Sequence, residues 1–140
     1  MMRANPIKVL SVDDNELVGE VIRITLKRAG GFEWLGHLSD AQDLVAKARE
    51  QCPDIVLLDI FMPGKDPFVA MHELNEVCPD ARVIMYSAYV SPRLIERALD
   101  AGAWGYVSKD DEGDALLSAI ERVAEGEFVM GPKVRAGSGI

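Results

Sequence analysis

The sequence predicts an α/β fold: a single doubly wound sheet of five parallel strands with helices on both faces. The main observation is that short apolar or β-rich runs alternate with longer segments in which apolar residues recur every three to four positions. The connections between these segments are also short, which favours parallel strands joined by helical crossovers. The predicted strands cover residues 7–12, 32–38, 55–58, 81–86 and 104–107.

Helices are predicted after each strand. The first begins at Glu16 and carries two interleaved apolar sets, which predict a wide inward-facing stripe of Leu17, Val21, Ile24, Val18, Ile22 and Leu26. A cap at Ser39 or Asp40 begins the second helix. The third and fourth begin with a cap followed by proline, at Asp66 and at Ser91. The last is expected at about 111–126. The second strand contains Gly36, which suggests an edge position.

Length and charge limit the functions open to this chain. With 140 residues it suggests one domain, assigned to residues 1–127, followed by a Gly-rich flexible tail or linker at 128–140. A net charge of −8 argues against direct nucleic-acid contact and against adsorption to an anionic membrane. No apolar run has the length of a signal peptide or membrane span, so the cytoplasm is the expected location. The two cysteines, Cys52 and Cys78, form no disulfide framework or zinc pattern.

Polar side chains follow four of the predicted strands. Asp13 and Asp14 come after the first strand, Asp59 after the third, Ser87 after the fourth and Lys109 after the fifth. In a doubly wound sheet the carboxyl ends of the strands share one edge, and ligands bind there near the point where the strand order reverses. We therefore expect the three carboxylates, the hydroxyl and the ammonium to meet in one crevice.

This set of groups points to phosphoryl chemistry that depends on a metal ion. Neighbouring carboxylates repel one another unless a cation intervenes, and Mg²⁺ suits such a set of oxygen ligands. Aspartate carboxylates can act as covalent nucleophiles, which makes Asp59 the candidate phosphoryl acceptor. Taken singly, Asp13 or Asp14 could cap a helix, Ser87 could be a turn hydroxyl and Lys109 a solvated lysine. Only their joint placement favours the functional interpretation.

Four motifs resemble those of the receiver domain of bacterial two-component response regulators. They are VDD at residues 12–14, LDIFMPG at 58–64, YSA at 86–88 and GYVSK at 105–109. Their order and spacing match the family, and the resemblance covers roughly residues 6–126. It implies a flavodoxin-like strand order of 2-1-3-4-5. It also implies a signalling domain that assists its own phosphorylation and dephosphorylation, not an enzyme.

The resemblance also implies a role for the acidic residues. Asp59 would accept a phosphoryl group from the phosphohistidine of a histidine kinase or from a phosphotransfer protein. Asp13, Asp14, Asp59 and the backbone carbonyl of Phe61 would hold Mg²⁺ or Mn²⁺.

The remaining motif residues would bind the phosphoryl group and respond to it. Ser87, the backbone amide of Ala88 and Lys109 would contact the phosphoryl oxygens. Ser87 and Tyr106 would act as the switch, changing the face formed by the fourth helix, the fifth strand and the last helix. That face would control an output partner or domain, with a phosphorylation-dependent homodimer as a further form.

Two departures and several alternatives accompany the resemblance. Pro67 stands where many receivers have glycine. Residues 124–132 look like the end of receivers that continue into a helix-turn-helix domain, so the chain either acts alone or is the receiver portion of a transcription regulator. An aspartyl-phosphate phosphatase is the main alternative, but it needs a second aspartate at the position of Phe61. A flavin binder would need a phosphate-cradling first loop, and a structural pseudo-receiver would lack Asp59 or the acidic pair.

Overall fold

A computed structural model describes residues 5–137, in which strands and helices alternate. The strands are β1 (Ile7–Val12), β2 (Phe32–Leu38), β3 (Ile55–Leu58), β4 (Arg82–Ser87), β5 (Gly105–Ser108) and β6 (Val129–Met130). The helices are α1 (Glu16–Ala29), α2 (Leu44–Gln51), α3 (Pro67–Val77), α4 (Pro92–Asp100), α5 (Gly113–Ala124) and α6 (Pro132–Gly137). A single 3₁₀ turn, Ala41–Asp43, precedes α2.

The strands form one parallel sheet in the order β2-β1-β3-β4-β5-β6. This confirms the predicted α/β fold and the order 2-1-3-4-5, and it places β2 at an edge as expected. The β1–β2 register shifts between Val9 and Leu10, where Gly36 has a φ of 123°. The prediction of five strands was incomplete, because β6 adds a sixth. A two-residue strand is too short to show an apolar period.

Two apolar clusters fill the two faces of the sheet, which confirms helices on both sides. Alternate residues of each strand point to opposite faces. Val56 and Leu58 therefore lie in one cluster with Leu44, Leu74 and Ala98 from α2, α3 and α4. On the other face, buried residues of β3 meet those of α1 and α5, including Ile55, Leu57, Ile22, Leu26 and Ile120. Since all four β3 side chains are buried, this strand forms the centre of the domain.

Helix α1 buries only one of its two predicted apolar sets. Ile22 and Leu26 are buried, whereas Leu17, Val21 and Ile24 are 73%, 60% and 41% exposed. The prediction of a single wide inward stripe was therefore wrong. A helix lying on one side of a sheet contacts it along one stripe, so side chains on the far flank stay in solvent.

The predicted starts of α3 and α4 are confirmed, whereas α2 begins at Leu44 and α5 at Gly113, each later than predicted. The Asp66 side chain accepts a hydrogen bond from Phe68 N, and Ser91 Oγ accepts one from Leu94 N, each with proline at the next position. Asp40 caps the 3₁₀ turn before α2. Among residues 5–137, no helix is both long and apolar enough to cross a membrane.

The segment expected to be a flexible tail is folded through residue 137. Val129 and Val134 are buried, and Gly131 N donates a hydrogen bond to the carbonyl of Tyr106 at 2.9 Å. The glycine-rich composition was misleading because two valines are enough to anchor β6 and α6 against β5. Residues 138–140 lie outside the described part of the chain. The domain boundary at residue 127 stays a prediction.

We expect Gly19→Ala to lower the free energy of unfolding by about 1–3 kcal/mol, because it overpacks the α1–β2 contact. A Cβ at position 19 would lie 2.5 Å from His37 Cγ. The His37 ring cannot easily retreat, since its Nδ1 is 2.5 Å from Ser11 Oγ. Urea unfolding measures the change. The control is Gly113→Ala, where the nearest atom, Thr25 Cγ2, is 3.9 Å away. Equal stability of the two variants would contradict the argument.

Candidate functional site

The carboxyl ends of β1, β3, β4 and β5 bring the predicted site residues to one edge of the sheet. Asp59 N donates a hydrogen bond to the carbonyl of Val12 at 3.0 Å, which holds the end of β3 beside the end of β1. Lys109 N donates to the carbonyl of Ser87 at 2.9 Å and joins β5 to β4 in the same way. These backbone hydrogen bonds just beyond the strands therefore fix the positions from which the Asp59 and Lys109 side chains extend.

The three predicted carboxylates converge. Asp13, Asp14 and Asp59 each offer an oxygen, and these three oxygens all lie within 4.8 Å of one another. Asp13 and Asp59 are only 2% and 6% exposed, while Asp14 is exposed to solvent. A set of hard anionic oxygens with one solvent-facing member fits a cation such as Mg²⁺, which prefers oxygen ligands and retains several waters.

Lys109 lies against both buried carboxylates. Its Nζ is 2.5 Å from Asp13 Oδ2 and 3.5 Å from Asp59 Oδ2. Burial works to lower the pKa of Lys109, but the hydrogen bond to Asp13 and the charges of Asp59 and Asp13 outweigh it and leave that pKa raised. The lysine therefore stays cationic at neutral pH, as the ion pairs require.

Asp59 holds its proton more tightly than an ordinary aspartate. Burial is the main cause of its raised pKa, and the Asp13 charge adds to it, while Lys109 and the Phe61 backbone N–H oppose it. The Phe61 contact is a 3.4 Å hydrogen bond from its backbone N to Asp59 Oδ1. Asp59 is thus a desolvated carboxylate for which a nearby positive charge is favourable.

Ser87 is fully buried at the end of β4, and Ala88 after it is exposed. The Ser87 hydroxyl oxygen accepts a hydrogen bond from Tyr89 N at 3.1 Å. Its proton is left to donate elsewhere. The Ser87 hydroxyl therefore helps to fix the conformation of the loop between β4 and α4.

Tyr106 lies inside the protein. Its ring is 2% exposed and its hydroxyl donates a hydrogen bond to the backbone carbonyl of Tyr89. Burial, and then the charge of Asp59, raises the pKa of Tyr106 to about 12. Tyr106 is therefore a neutral phenol that holds the loop between β4 and α4 in place.

Sequence reasoning missed Tyr89. Its N–H binds Ser87, its carbonyl binds Tyr106, and its exposed ring contacts the Phe61 ring edge-on with centroids 4.6 Å apart. Two of these contacts use backbone atoms, which leave no side-chain signature. The one available signal was its place two residues after Ser87.

The histidines and cysteines stay outside this site. His72 is exposed on α3, and its Nε2 lies 3.0 Å from Glu76 Oε1. His37 is bound to Ser11 at the β2 edge. Cys52 is exposed and Cys78 partly exposed, and both are free thiols.

Comparison with known proteins points to one family. The response regulator receiver domain family matches residues 9–121. The response regulator protein VraR of Staphylococcus epidermidis is 33% identical over 128 residues, which cover 91% of this chain and 61% of that protein. The chain thus spans about 61% of the length of the curated relatives it matches.

Solved structures agree in fold. A LuxR-family two-component response regulator from Aurantimonas has a TM-score of 0.89 and 27% identity, with 96% of both chains covered. The response regulator RcsB of Salmonella typhimurium, from a study of its interaction with DNA, has a TM-score of 0.87 at 20% identity. That match covers 96% of this chain and 66% of RcsB, and at this identity it shows the fold alone.

The comparisons give no support to the phosphatase alternative, since this family consists of signalling domains and not of catalysts. The sheet order, the acidic cluster and the match over residues 9–121 agree with one another. The chain belongs to the family of response regulator receiver domains.

Proposed function

We propose that Asp59 accepts a phosphoryl group from a histidine kinase or a phosphotransfer protein. The observation that carries the proposal is a buried carboxylate at the sheet edge with two further carboxylates and an ammonium around it. In the transfer, an Asp59 oxygen bonds to phosphorus while the phosphorus–nitrogen bond of the phosphohistidine breaks. The imidazole leaves with that electron pair, and an acyl phosphate remains on Asp59.

Asp13, Asp14 and Asp59 would hold Mg²⁺ or Mn²⁺, with the backbone carbonyl of Phe61 as a further oxygen ligand. The cation would neutralise charge that otherwise keeps an anionic phosphoryl group away from this acidic edge. Support comes from the three oxygens within 4.8 Å of one another and from the burial of two of the carboxylates.

Lys109, Ser87 and the Ala88 backbone N–H would bind the phosphoryl oxygens. The Lys109 ammonium is 3.5 Å from Asp59 Oδ2, so it already lies within reach of a group attached there. Ser87 has a hydroxyl proton to donate, and Ala88 begins the loop that leads to Tyr89. Hydrogen bonds to charged groups contribute about 1.5–3 kcal/mol each.

The switch would run from Ser87 through Tyr89 to Tyr106. The Tyr106 ring is already buried, so the switch does not require it to move inward. A Ser87 hydroxyl drawn to the phosphoryl group would instead change its bond with Tyr89 N, and Tyr106 holds the carbonyl of the same residue. Coupling of about 1–3 kcal/mol shifts a two-state equilibrium about 5–150-fold. The surface of α4, β5 and α5 would report the shift.

The output is proposed to be transcription regulation through a DNA-binding domain or partner. The curated relatives are longer than this chain, and RcsB was studied for its interaction with DNA. The net charge of −8 favours an indirect role, without nucleic-acid contact by this segment. We also propose that phosphorylation promotes the formation of a homodimer. The proposed location is the cytoplasm.

We expect Asp59→Asn to abolish phosphorylation, because the amide cannot act as the nucleophile. Wild-type protein incubated with Mg²⁺ and a small acyl phosphate should gain one acid-stable, hydroxylamine-labile phosphoryl group by intact mass. Asp110→Asn, which alters an exposed carboxylate next to Lys109, is the control and should be labelled like wild type. Undiminished label on the Asp59→Asn protein would overturn the assignment.

Removing a cation ligand should weaken the binding of Mg²⁺ selectively. We expect Asp14→Ala to raise the Mg²⁺ concentration for half-maximal phosphorylation at least about tenfold, equivalent to about 1.4 kcal/mol. Asp80→Ala removes the same charge before β4, at the opposite edge of the sheet, and should leave that concentration unchanged. Labelling that persists in excess chelator would rule out a metal-assisted mechanism.

The relay is tested with Ser87→Ala, which keeps the acceptor Asp59. Because the variant lacks the hydroxyl, amide chemical-shift changes on phosphorylation should shrink at residues 89–106. Ser11→Ala removes a buried hydroxyl that contacts His37 and lies outside the Ser87–Tyr106 region, and it should keep the wild-type changes. If Ser87→Ala gives changes as large as wild type, Ser87 has only a packing role.

A further inference from the structure

Helix α6 is attached to the loop that carries Lys109. Asp111, two residues after Lys109, accepts two backbone hydrogen bonds with its two carboxylate oxygens. Ser108 N donates to Oδ2 at 3.2 Å, and Lys133 N donates to Oδ1 at 3.0 Å. A single side chain therefore joins the end of β5 to the first turn of α6.

The segment entering α6 lies in close contact with this carboxylate. Gly131 N donates to the carbonyl of Tyr106, and a Cβ at position 131 would lie 2.5 Å from Asp111 Oδ2. Only glycine fits here without displacing Asp111. The position of the Asp111 carboxylate therefore constrains the backbone from Gly131 to Lys133.

The middle and the end of α6 lie near Tyr106 and the loop of Tyr89, which belong to the proposed switch. Val134 is fully buried in the same apolar cluster as Tyr106. At the end of the helix, a Cβ at Gly137 would lie 2.9 Å from Val90 Cγ1. Val90 follows Tyr89, whose carbonyl accepts the hydrogen bond from Tyr106. Both ends of α6 therefore touch loops that begin at predicted phosphoryl-binding residues.

We propose that Asp111 is a positioning residue that couples the docking of α6 to the state of the phosphorylation site. This inference rests on the proposed function. A phosphoryl group on Asp59 draws Lys109 and Ser87 towards it, which shifts the two loops that hold α6. Movement of the loop that carries Lys109 displaces Asp111 from its bonds with Ser108 N and Lys133 N, so phosphorylation weakens the docking of α6. Coupling between sites is reciprocal, so release of α6 favours binding of the phosphoryl group.

Hydrogen exchange measured by mass spectrometry tests the first half of the linkage. The whole chain is compared with Mg²⁺ alone and after phosphorylation by a small acyl phosphate, with intact mass taken from the same samples. In wild type we expect the amides of residues 133–137 to exchange at least about fivefold faster after phosphorylation.

Two variants separate the role of the Asp111 carboxylate from that of its charge. In Asp111→Asn, which turns one acceptor into a donor facing an N–H group, exchange at 133–137 should already be fast and should not change further. Asp110→Asn, which removes the same charge one residue earlier, should behave like wild type.

Affinity for beryllofluoride, a mimic of the phosphoryl group, tests the reciprocal half. Val134→Ala loosens α6 and leaves Asp111 unchanged, so it should bind the mimic at least about fivefold more tightly than wild type. Asp111→Asn should do the same, and the double variant should gain no more than either single variant. Affinity for Mg²⁺ should stay constant, because Asp13, Asp14 and Asp59 belong to other loops. A merely structural role for Asp111 would instead weaken binding of both Mg²⁺ and the mimic.

Two negative outcomes are distinguishable. If intact mass shows no phosphoryl group on wild-type protein, the proposed function falls and this inference falls with it. If Asp59 is phosphorylated while exchange at residues 133–137 is unchanged, the proposed function stands and the coupling through Asp111 is refuted.

Discussion

The ion pairs of Lys109 with Asp13 and Asp59 are the interaction on which the rest of this structure depends. Removing two carboxylates from water costs several kcal/mol each unless an opposite charge compensates. Lys109 supplies that charge from β5, while the carboxylates come from the ends of β1 and β3. The sheet therefore has to keep its three strand ends in fixed positions. One ammonium still leaves three neighbouring carboxylates with a net negative charge, which is the physical reason the edge attracts a cation.

The sequence revealed those features of the fold and site that repeat or that follow a strand. Apolar runs predicted the five long strands, and aspartate or serine before proline predicted the starts of α3 and α4. The sequence predicted that three residues, Asp13, Asp59 and Lys109, lie close together, because the carboxyl ends of parallel strands share one edge of the sheet. Their distances and their burial required the structure.

The features that the sequence did not predict share a physical reason for being missed. β6 has two residues and no period, and Leu17 on α1 is apolar although it faces solvent. Tyr89 contributes backbone atoms to Ser87 and Tyr106, and these two hydrogen bonds do not depend on its side chain. Asp111 was expected to begin the last helix, but it lies before α5 and both its oxygens bind backbone N–H groups. Contacts between a loop and a distant backbone atom leave no pattern in the local sequence.

The contacts around β5 explain how a change of charge at Asp59 could alter the distant surface at α6. Lys109 and Asp111 lie on the same short loop, one bound to the acidic cluster and the other to the start of α6. Tyr106, on the preceding strand, binds the carbonyl of Tyr89 with its side chain and the amide of Gly131 with its backbone. Because close-packed interiors do not deform continuously, a shift of Lys109 has to be taken up by one of these few contacts. Apart from the ion pairs of Lys109, those contacts are hydrogen bonds to backbone groups, which are either made or broken, so a two-state response is the expected behaviour of this edge.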